Sequence, residues 1–296
     1  MSGMLPAVVI AAGVLLAAIA TPPLAVAQSS QRTAPATPTP ARPSAVTPGP
    51  LTGGEELPVD VSADNGIEWR QDEQVFLASG NAVAVRGDVR VESDTLRAHY
   101  RQEKGGGTQV WRMDAEGHVT ITATGQKAVG ALGVYDIDNS VFVLSGADVR
   151  YTSGDTLIRA DRQIEFWQRR QIAVARGNAR TVRNDQTLAA DVMTAHFRTV
   201  AGKTEMYRVE AFDNVRIVTP AETVSSERAV YDVVTGMAVL TGGVKLTRGQ
   251  TQLSGCRAEV NVNAGSSRLQ SCEGSGAQGR VRGLLTPDDS RKGGGR

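Results

Sequence analysis

The chain has 296 residues, with 32 lysines and arginines against 31 aspartates and glutamates and a formal net charge of +1. Aromatic residues make up only 4% of it, and basic residues are interspersed with acidic ones. Proteins that bind nucleic acids ordinarily present a basic face with stacking aromatic side chains, so this functional class is excluded.

The N-terminus has the features of an export signal. Residues 1–27 contain no charged side chain, an apolar stretch runs from Ala7 to Ala20, and residues 25–27 form a small-x-small cleavage sequence. The apolar stretch is shorter than the ~20 residues that a membrane-spanning helix needs. We therefore predict a cleaved signal peptide at 1–27. Because no Lys or Arg precedes the apolar stretch, an uncleaved membrane anchor is the alternative.

Proline divides the rest of the chain. Ten of the twelve prolines precede residue 59, and the others are Pro220 and Pro287. The segment 28–58 is rich in Pro, Thr, Ala and Ser, which is typical of an extended, disordered linker. Residues 59–273 are nearly free of proline, as a continuous hydrogen-bonded sheet requires. We predict one β-domain at 59–273, followed by a flexible Gly-rich tail at 274–296.

Apolar and polar residues alternate along most of this domain. Val119-x-Ile121 and Val215-x-Ile217 follow a period of two, which places alternate side chains on one face of a β-strand. No stretch shows a sustained apolar stripe with the helical period. We therefore predict an all-β fold with few helices, and we assign the ambiguous segment 191–197 to a strand.

The strands recur as a larger unit. A Gly or Asp precedes a short alternating run six times, at intervals of 29 to 37 residues. These anchor residues are Gly80, Gly117, Gly146, Gly177, Asp213 and Gly242. The regularity indicates an internal repeat, and Gly or Asn at such points suits tight turns or positive φ. Stacked units are expected to form one continuous sheet, whose Val- and Ala-rich interior is equally compatible with a packed core and an open groove.

The two cysteines, Cys256 and Cys272, lie symmetrically about the turn-like sequence 263–266. If the flanking segments pair as a hairpin, the two thiols face each other across the strands. Export to an oxidising compartment then favours a structural disulfide over two free thiols.

No pattern of catalytic residues is found in the sequence. The histidines, His99, His118 and His196, lie in different repeat units, and none has a metal-ligand spacing to a Cys or another His. Nucleophile-elbow, phosphate-loop and dinucleotide-binding motifs do not occur. We therefore predict a protein that is not an enzyme, with no catalytic residues, no metal and no cofactor.

The repeated unit resembles a known family. Gly-Asn-Ala-Val-Ala-Val at 80–85 and Leu-Ala-Ala-Asp at 188–191, behind an export signal, are similar to the OstA-like family of lipopolysaccharide-transport proteins over residues 59–271. The resemblance implies an elongated, slightly twisted β-jellyroll of repeated strand units, open along one side, whose interior holds the acyl chains of lipid A. It also implies a periplasmic bridge between the inner and outer membranes, joined edge to edge with LptC-like and LptD-like partners and with copies of itself, head to tail. The alternatives are a membrane-tethered LptC-like component and a structural β-repeat protein without lipid cargo.

Candidates for the lipid-binding groove are apolar residues at alternate strand positions. They are Val83, Val85, Leu96, Ala98, Tyr100, Val119, Ile121, Val149, Tyr151, Ile164, Phe166, Val215, Ile217 and Leu246. A slip of one residue in the register of a strand would exchange its inner and outer faces. Headgroup phosphates are expected to meet Arg or Lys at the open edge, and the sequence does not indicate which of these residues do so.

Overall fold

The computed structural model describes residues 59–103, 107–200, 203–261, 264, 266–272 and 280–284. The predicted signal peptide, the predicted linker and most of the predicted tail lie outside these residues. The described chain is all-β, as predicted, with eighteen strands and a short 3-10 helix at Gln168–Arg170. Within the described ranges, no helix is long and apolar enough to cross a membrane.

Ten of the strands are long, and eight have only three to five residues. The long strands are β3 (Val75–Arg86), β4 (Val89–Gln102), β5 (Thr108–Ala123), β6 (Gln126–Asp136), β11 (Ile172–Arg183), β12 (Gln186–Val200), β13 (Lys203–Val218), β14 (Thr223–Asp232), β15 (Met237–Arg248) and β16 (Thr251–Asn261). The short strands are β1 (Asp60–Ser62), β2 (Ile67–Arg70), β7 (Val141–Ser145), β8 (Val149–Ser153), β9 (Thr156–Ala160), β10 (Gln163–Trp167), β17 (Ser266–Gln270) and β18 (Arg282–Leu284).

The strands form one antiparallel meander. Long strands that follow each other in the sequence pair with each other, from β3 to β6 and from β11 to β16. The short strands act in pairs that replace one long strand: β1 with β2, β7 with β8, β9 with β10, and β17 with β18. The stack therefore has fourteen layers, and at the usual strand spacing it is about 60 Å long.

A corner bends each layer near its middle. The register of β3 against β4 shifts between Ser79 and Ala82, and equivalent shifts recur in the other long strands. At each of these β-bulges two residues of one strand oppose one residue of the next strand. Five of the six repeated anchors lie in the bulges, and the sixth, Gly146, lies between β7 and β8. The positive φ predicted at the anchors is confirmed, with values such as 81° at Gly80 and 86° at Gly177.

The corners divide the stack into two half-sheets. Half A contains β2, β7, β10 and β17, half B contains β1, β8, β9 and β18, and each long strand contributes one segment to each half. Hairpin turns line the two margins opposite the corner. No strand pairing joins these margins in the part of the chain that the structure describes. The fold is thus an elongated, jellyroll-like structure that is open along one side.

The apolar core lies between the two halves. Cross-strand partners share a face of the sheet, so side chains can be followed from layer to layer. The inner row of half B is Val61, Ala84, Val91, Ile121, Ala128, Tyr151, Ile158, Thr181, Leu188, Ile217, Val224, Leu246, Leu253 and Gly283. The inner row of half A is Ile67, Ala78, Leu96, Ala115, Gly133, Leu144, Ile164, Ala175, Met193, Ala211, Ala229, Leu240, Ala258 and Leu269.

Two of the predictions from the sequence concern the last layers, at the C-terminal end of the stack. A disulfide joins Cys256, at the corner of β16, to Cys272, which follows β17, with 5.0 Å between the two Cα atoms. The flexible tail predicted from residue 274 differs from the structure at Arg282–Leu284, because these residues form β18 on the half-B segment of β16. The three residues of this strand, Arg-Gly-Leu, are too few to show the alternation from which the longer strands were predicted.

Candidate binding cavity

An apolar cavity of about 340 Å³ lies between the two halves at the N-terminal end of the stack. This volume falls within the range of about 300–1,000 Å³ that is usual for ligand sites. Its walls come from the first six layers. The lining residues are Val59, Val61, Ile67, Phe76, Ala78, Ala84, Val85, Arg86, Val91, Leu96, Arg97, Ala98, Val110, Met113, Asp114, Ala115, Ile121, Gly133, Tyr135 and Phe142.

Small residues in the inner row of half A border this space. This row has Ala78, Ala115 and Gly133 at positions equivalent to those of Leu144 and Leu240 in other layers. A Cβ atom on Gly133 would lie 3.5 Å from Val119 Cγ1 and 3.6 Å from Ala115 Cβ, which is ordinary contact. The sheet at Gly133 therefore has room for a methyl group, and a larger side chain would extend into the cavity.

The C-terminal layers are filled by their own side chains. Leu240, Leu246, Val244 and Val260 are each 1% exposed and belong to one cluster of buried residues. The cavity therefore lies at the N-terminal end of the stack, and the C-terminal end is packed.

The structure places twelve of the fourteen predicted groove residues on inner faces. Leu96, Ala98 and Ile121 border the cavity itself. Val119, Val149 and Val215 pack at the corner and are at most 1% exposed. The others on inner rows or in the buried clusters are Tyr100, Tyr151, Ile164, Phe166, Ile217 and Leu246.

The prediction of Val83 as an inward-facing residue is wrong. Its cross-strand partner is Glu92, and Val85 pairs with Arg90; these two partners form an exposed ion pair on the outer face. The bulge after Ser79 sets this register and turns Ala82, which is fully buried, inward instead. Val85 lines the cavity, although its cross-strand pairing with Arg90 places it in the outer row.

An aromatic group lies where the cavity meets the N-terminal edge. Trp69 Nε1 donates a 2.7 Å hydrogen bond to the Tyr100 hydroxyl, and Phe76 packs against both rings, with centroids 5.5 and 4.9 Å away. Trp69 is 58% exposed, whereas Tyr100 is 3% exposed. Neither Trp69 nor Phe76 was predicted from the sequence, although the alternation of Ile67 with Trp69 indicates a strand face there.

Two polar side chains border the cavity at its open margins. The Tyr135 hydroxyl, on half A, donates a hydrogen bond of 3.3 Å to Gln168 Oε1. Burial raises the pKa of Tyr135, and the hydrogen bond to Gln168 and the charge of Arg86 oppose this rise. Arg86 ends β3 in half B, so its charge acts on a hydroxyl of the opposite half. Neither Arg86 nor Tyr135 was predicted from the sequence, because their places at the cavity depend on how the two halves face each other.

The three histidines lie on the outer face or at a corner. His99 Nε2 is 2.9 Å from Asp114 Oδ2, and His118 Nδ1 is 2.9 Å from Asp94 Oδ2. His196 Nε2 lies 3.8 Å from Glu210 Oε1. Among the described residues, no group of three His, Cys, Asp or Glu side chains is arranged to hold a metal ion. Each histidine thus lies beside a carboxylate of a neighbouring strand.

The comparison with known protein families agrees with the repeat. The family model described as LptA/(LptD N-terminal domain) LPS transport protein matches residues 60–164 and again residues 157–266. An uncharacterised protein, R00383, of Rhizobium meliloti (strain 1021) is 28% identical over 126 residues, which are 40% of this chain and 64% of that protein. The matched part of the chain thus spans less than two thirds of that relative's length.

One solved structure that is similar is that of LptH, the LptA-homologous periplasmic component of the lipopolysaccharide transport device of Pseudomonas aeruginosa. It is 14% identical, with a TM-score of 0.38, and the match covers 45% of this chain and 95% of that chain. The family match, by contrast, extends over most of the chain and over nearly all of the described layers. The chain therefore belongs to the LptA/(LptD N-terminal domain) family of LPS transport proteins.

Proposed function

We propose that this protein is a periplasmic carrier that holds lipopolysaccharide by the acyl chains of lipid A between its two half-sheets. The observation that carries the proposal is the apolar cavity at the N-terminal end, which joins inner rows running the length of the stack. Each methylene that such an interior removes from water contributes about 0.8 kcal/mol. The family to which the chain belongs supports lipopolysaccharide as the cargo.

The open margin of the fold suits a ligand with an apolar and a polar part. Acyl chains would lie against inner-row residues such as Leu96 and Ala115. These residues face the interior, away from the water at the outer face of the sheet. The saccharide and phosphates would remain in water beyond the hairpin turns. A closed core would have no such exit for a headgroup.

The terminal layers support edge-to-edge assembly. Exposed apolar side chains lie at both ends: Ile67 and Trp69 in β2 are 53% and 58% exposed, and Leu284 in β18 is 62% exposed. Unpaired edges of this kind recruit other strands by main-chain hydrogen bonds. With fourteen alternating layers, the first layer of one copy runs antiparallel to the last layer of another copy.

Such a joint would continue both inner rows. Ile67 of one copy would follow Leu269 of the next in half A, and Val61 would follow Gly283 in half B. We extend the same joint to LptC-like and LptD-like partners at the two ends of a bridge between the membranes. Export by the predicted signal peptide and a start of the mature chain at Gln28 belong to this proposal, and N-terminal sequencing of the purified protein checks them.

Photo-crosslinking tests the lipid site directly. A benzoylphenylalanine at Ala98 faces the cavity, whereas one at Glu92 of the same strand lies on the outer row, away from the cavity lining, and serves as the matched control. We expect adducts detected with an antibody to lipid A at Ala98 and not at Glu92, in living cells. Equal labelling at both positions, or no labelling at Ala98, would contradict the proposed cargo and favour a β-repeat protein without a lipid ligand.

A further inference from the structure

Basic side chains recur along the outer face of half B in the later layers. Cross-strand pairing connects one outer position in every layer from β8 to β18. The residues at this position are, in order, Arg150, Arg159, Arg180, Ala189, Arg216, Ser225, Lys245, Ser254 and Arg282. The arginines and the lysine among them, which we name the basic row, are all exposed. At the usual strand spacing the row is about 40 Å long.

Like charges lie directly opposite each other in the basic row. Arg150 pairs in register with Arg159, and Arg159 pairs in register with Arg180. Such pairs destabilise a sheet, because the two charges repel each other across neighbouring strands. Asp148 forms an ion pair with Arg150 and so offsets the charge at one end of the row. The rest of the arrangement does not serve the stability of the fold, and a negatively charged partner would relieve the repulsion.

Three members of the basic row have no acidic partner among the described residues. No carboxylate of the described ranges lies within ion-pair distance of Arg180, Arg216 or Lys245. Acidic residues do occur at the corner beside the row, but Asp161 and Asp191 there accept hydrogen bonds from asparagine side chains. The three cationic groups are therefore available to bind an external anion.

The outer face of half A differs from this arrangement. Its arginines lie beside acidic residues and form ion pairs with them. Examples are Arg112 with Asp114, Arg208 with Glu210 and Arg257 with Glu259. Since the whole chain has a net charge of only +1, the basic row is a local excess of positive charge on one face.

The geometry of the row favours an extended anionic surface as its partner. A small anion would need cations that converge on it, whereas these side chains stand side by side along a sheet. A nucleic-acid strand would stack its bases on aromatic rings. Neither outer row of half B has an aromatic residue in the described layers from β8 to β18. A bilayer with anionic lipids presents a surface of negative charge, which attracts separate Lys and Arg side chains.

We propose that the basic row binds the phosphate headgroups of an anionic phospholipid bilayer. Guanidinium groups form paired, charge-assisted hydrogen bonds with phosphate oxygens. Because the row runs along the stack, the bound protein lies with its long axis along the membrane, whereas a bridge between two membranes stands across them. The inference thus goes beyond the proposed function: it adds a state in which the unassembled carrier is held at a membrane surface, and it does not depend on the cargo.

Vesicle flotation with the full mature protein tests this inference. Vesicles of phosphatidylcholine mixed with phosphatidylglycerol are compared with vesicles of phosphatidylcholine alone, in salt at which the Debye length is about 10 Å. The unmodified protein should bind the anionic vesicles at least about tenfold more tightly, and high salt should abolish this preference. In the triple variant Arg180→Gln, Arg216→Gln, Lys245→Gln the affinity should fall by more than about tenfold, since each Lys or Arg near such a surface contributes about fivefold.

The matched control removes the same charge from half A, in Arg112→Gln, Arg208→Gln, Arg257→Gln. It should bind anionic vesicles within about threefold of the unmodified protein, because these residues face away from a membrane at half B and salt screens their charge. Arg216→Gln alone should lose about fivefold, which covers the case in which the triple variant does not fold.

Three results would overturn the inference. They are equal binding of both vesicle types by the unmodified protein, equal losses in the two triple variants, and absence of vesicle binding, which would leave an acidic protein as the partner of the row. Lipid A crosslinking at Ala98 is measured in parallel and should be unchanged in the variant of the basic row. Failure of the inference and failure of the proposed function are thereby distinguished.

Discussion

Asn178 Nδ2 donates a hydrogen bond of 2.7 Å to Asp161 Oδ2 across the corner of the sheet. The same bond, with the same length, joins Asn81 to Asp64 in the first repeat. Both asparagines have a positive φ, 44° at Asn178 and 43° at Asn81. The repeat unit therefore has a structural basis: a Gly-Asn pair supplies two left-handed residues, and an Asp of the preceding layer binds the Asn side chain.

The backbone at Asn178 gives a prediction on stability. Asn tolerates positive φ better than other residues with a side chain, and Ala there should cost about 1–2 kcal/mol of unfolding free energy. Asn178→Gly keeps the conformation and removes only an exposed hydrogen bond, so its loss should be smaller. Urea unfolding followed by circular dichroism measures both, and equal losses in the two variants would show that φ is not the cause.

Much of the fold was predictable because its signals are local. The alternation of apolar and polar residues predicted the inner faces of the strands at Ile121 and Leu246. The repeated anchors predicted the corners, because a positive φ favours Gly and Asn through local backbone sterics that do not depend on distant contacts. The assignment of Val83 failed at such a corner. The two-residue bulge resets the alternation, and Ala82 and Ala84 carry a weaker hydrophobic signal than the two valines beside them.

The site was less predictable, because it depends on contacts between the halves. Arg86 and Tyr135 are far apart in the sequence and come near each other only when the corner folds half B over half A. The cavity itself is bordered by residues of six successive layers, among them small ones such as Gly133. A sequence shows these residues one at a time, and it does not show that they stack.

Filling the cavity should separate lipid binding from folding. Gly133→Ala adds a methyl group at ordinary contact distances and should bind lipid as the unmodified protein does. Gly133→Leu extends into the cavity and should lower lipid A crosslinking at Ala98 severalfold, with a stability cost within the ~1–3 kcal/mol of an overpacked site. Retained crosslinking in folded Gly133→Leu would place the acyl chains elsewhere.

The disulfide between Cys256 and Cys272 should stabilise the C-terminal layer. It closes a loop with a sequence separation of 16, for which the entropic contribution is about 3 kcal/mol. Reduction should therefore lower the unfolding free energy and raise hydrogen exchange in β17. The Cys256→Ser, Cys272→Ser double variant is the control, because reductant should have no effect on it. Equal sensitivity of both proteins to reductant would contradict this role.

The buried carboxylate of Glu165 should make stability depend on pH. Burial alone would raise its pKa, but hydrogen bonds from Arg176, Gln163 and Trp167 outweigh burial and hold the pKa below its usual value. A carboxyl with a lowered pKa in the folded state contributes stability above the unfolded pKa, near 4.3, and this contribution is lost as pH falls through the folded pKa.

Glu165→Gln should thus cost about 1.5–3 kcal/mol at pH 7, as the loss of hydrogen bonds to a charged group does, and less at pH 3. Glu68→Gln is the control, because Glu68 lies on the same outer row and is 61% exposed. Urea midpoints measured from pH 7 to pH 3 check the difference. A constant gap between Glu165→Gln and the unmodified protein over this range would refute the assignment.

The two ends of the stack should behave as a complementary pair. Ile67→Lys places an inward-pointing charge on the first layer, and Leu269→Lys does the same on the last layer, so each variant alone should lose self-association in analytical ultracentrifugation. In a head-to-tail joint each variant keeps one intact end, and an equimolar mixture should form dimers but no longer chains. A joint between two identical ends predicts something different: one of the two variants would still associate alone, and mixing would add nothing. Ile67→Val preserves an apolar edge and should assemble as the unmodified protein does, which separates the effect of charge from the loss of the isoleucine.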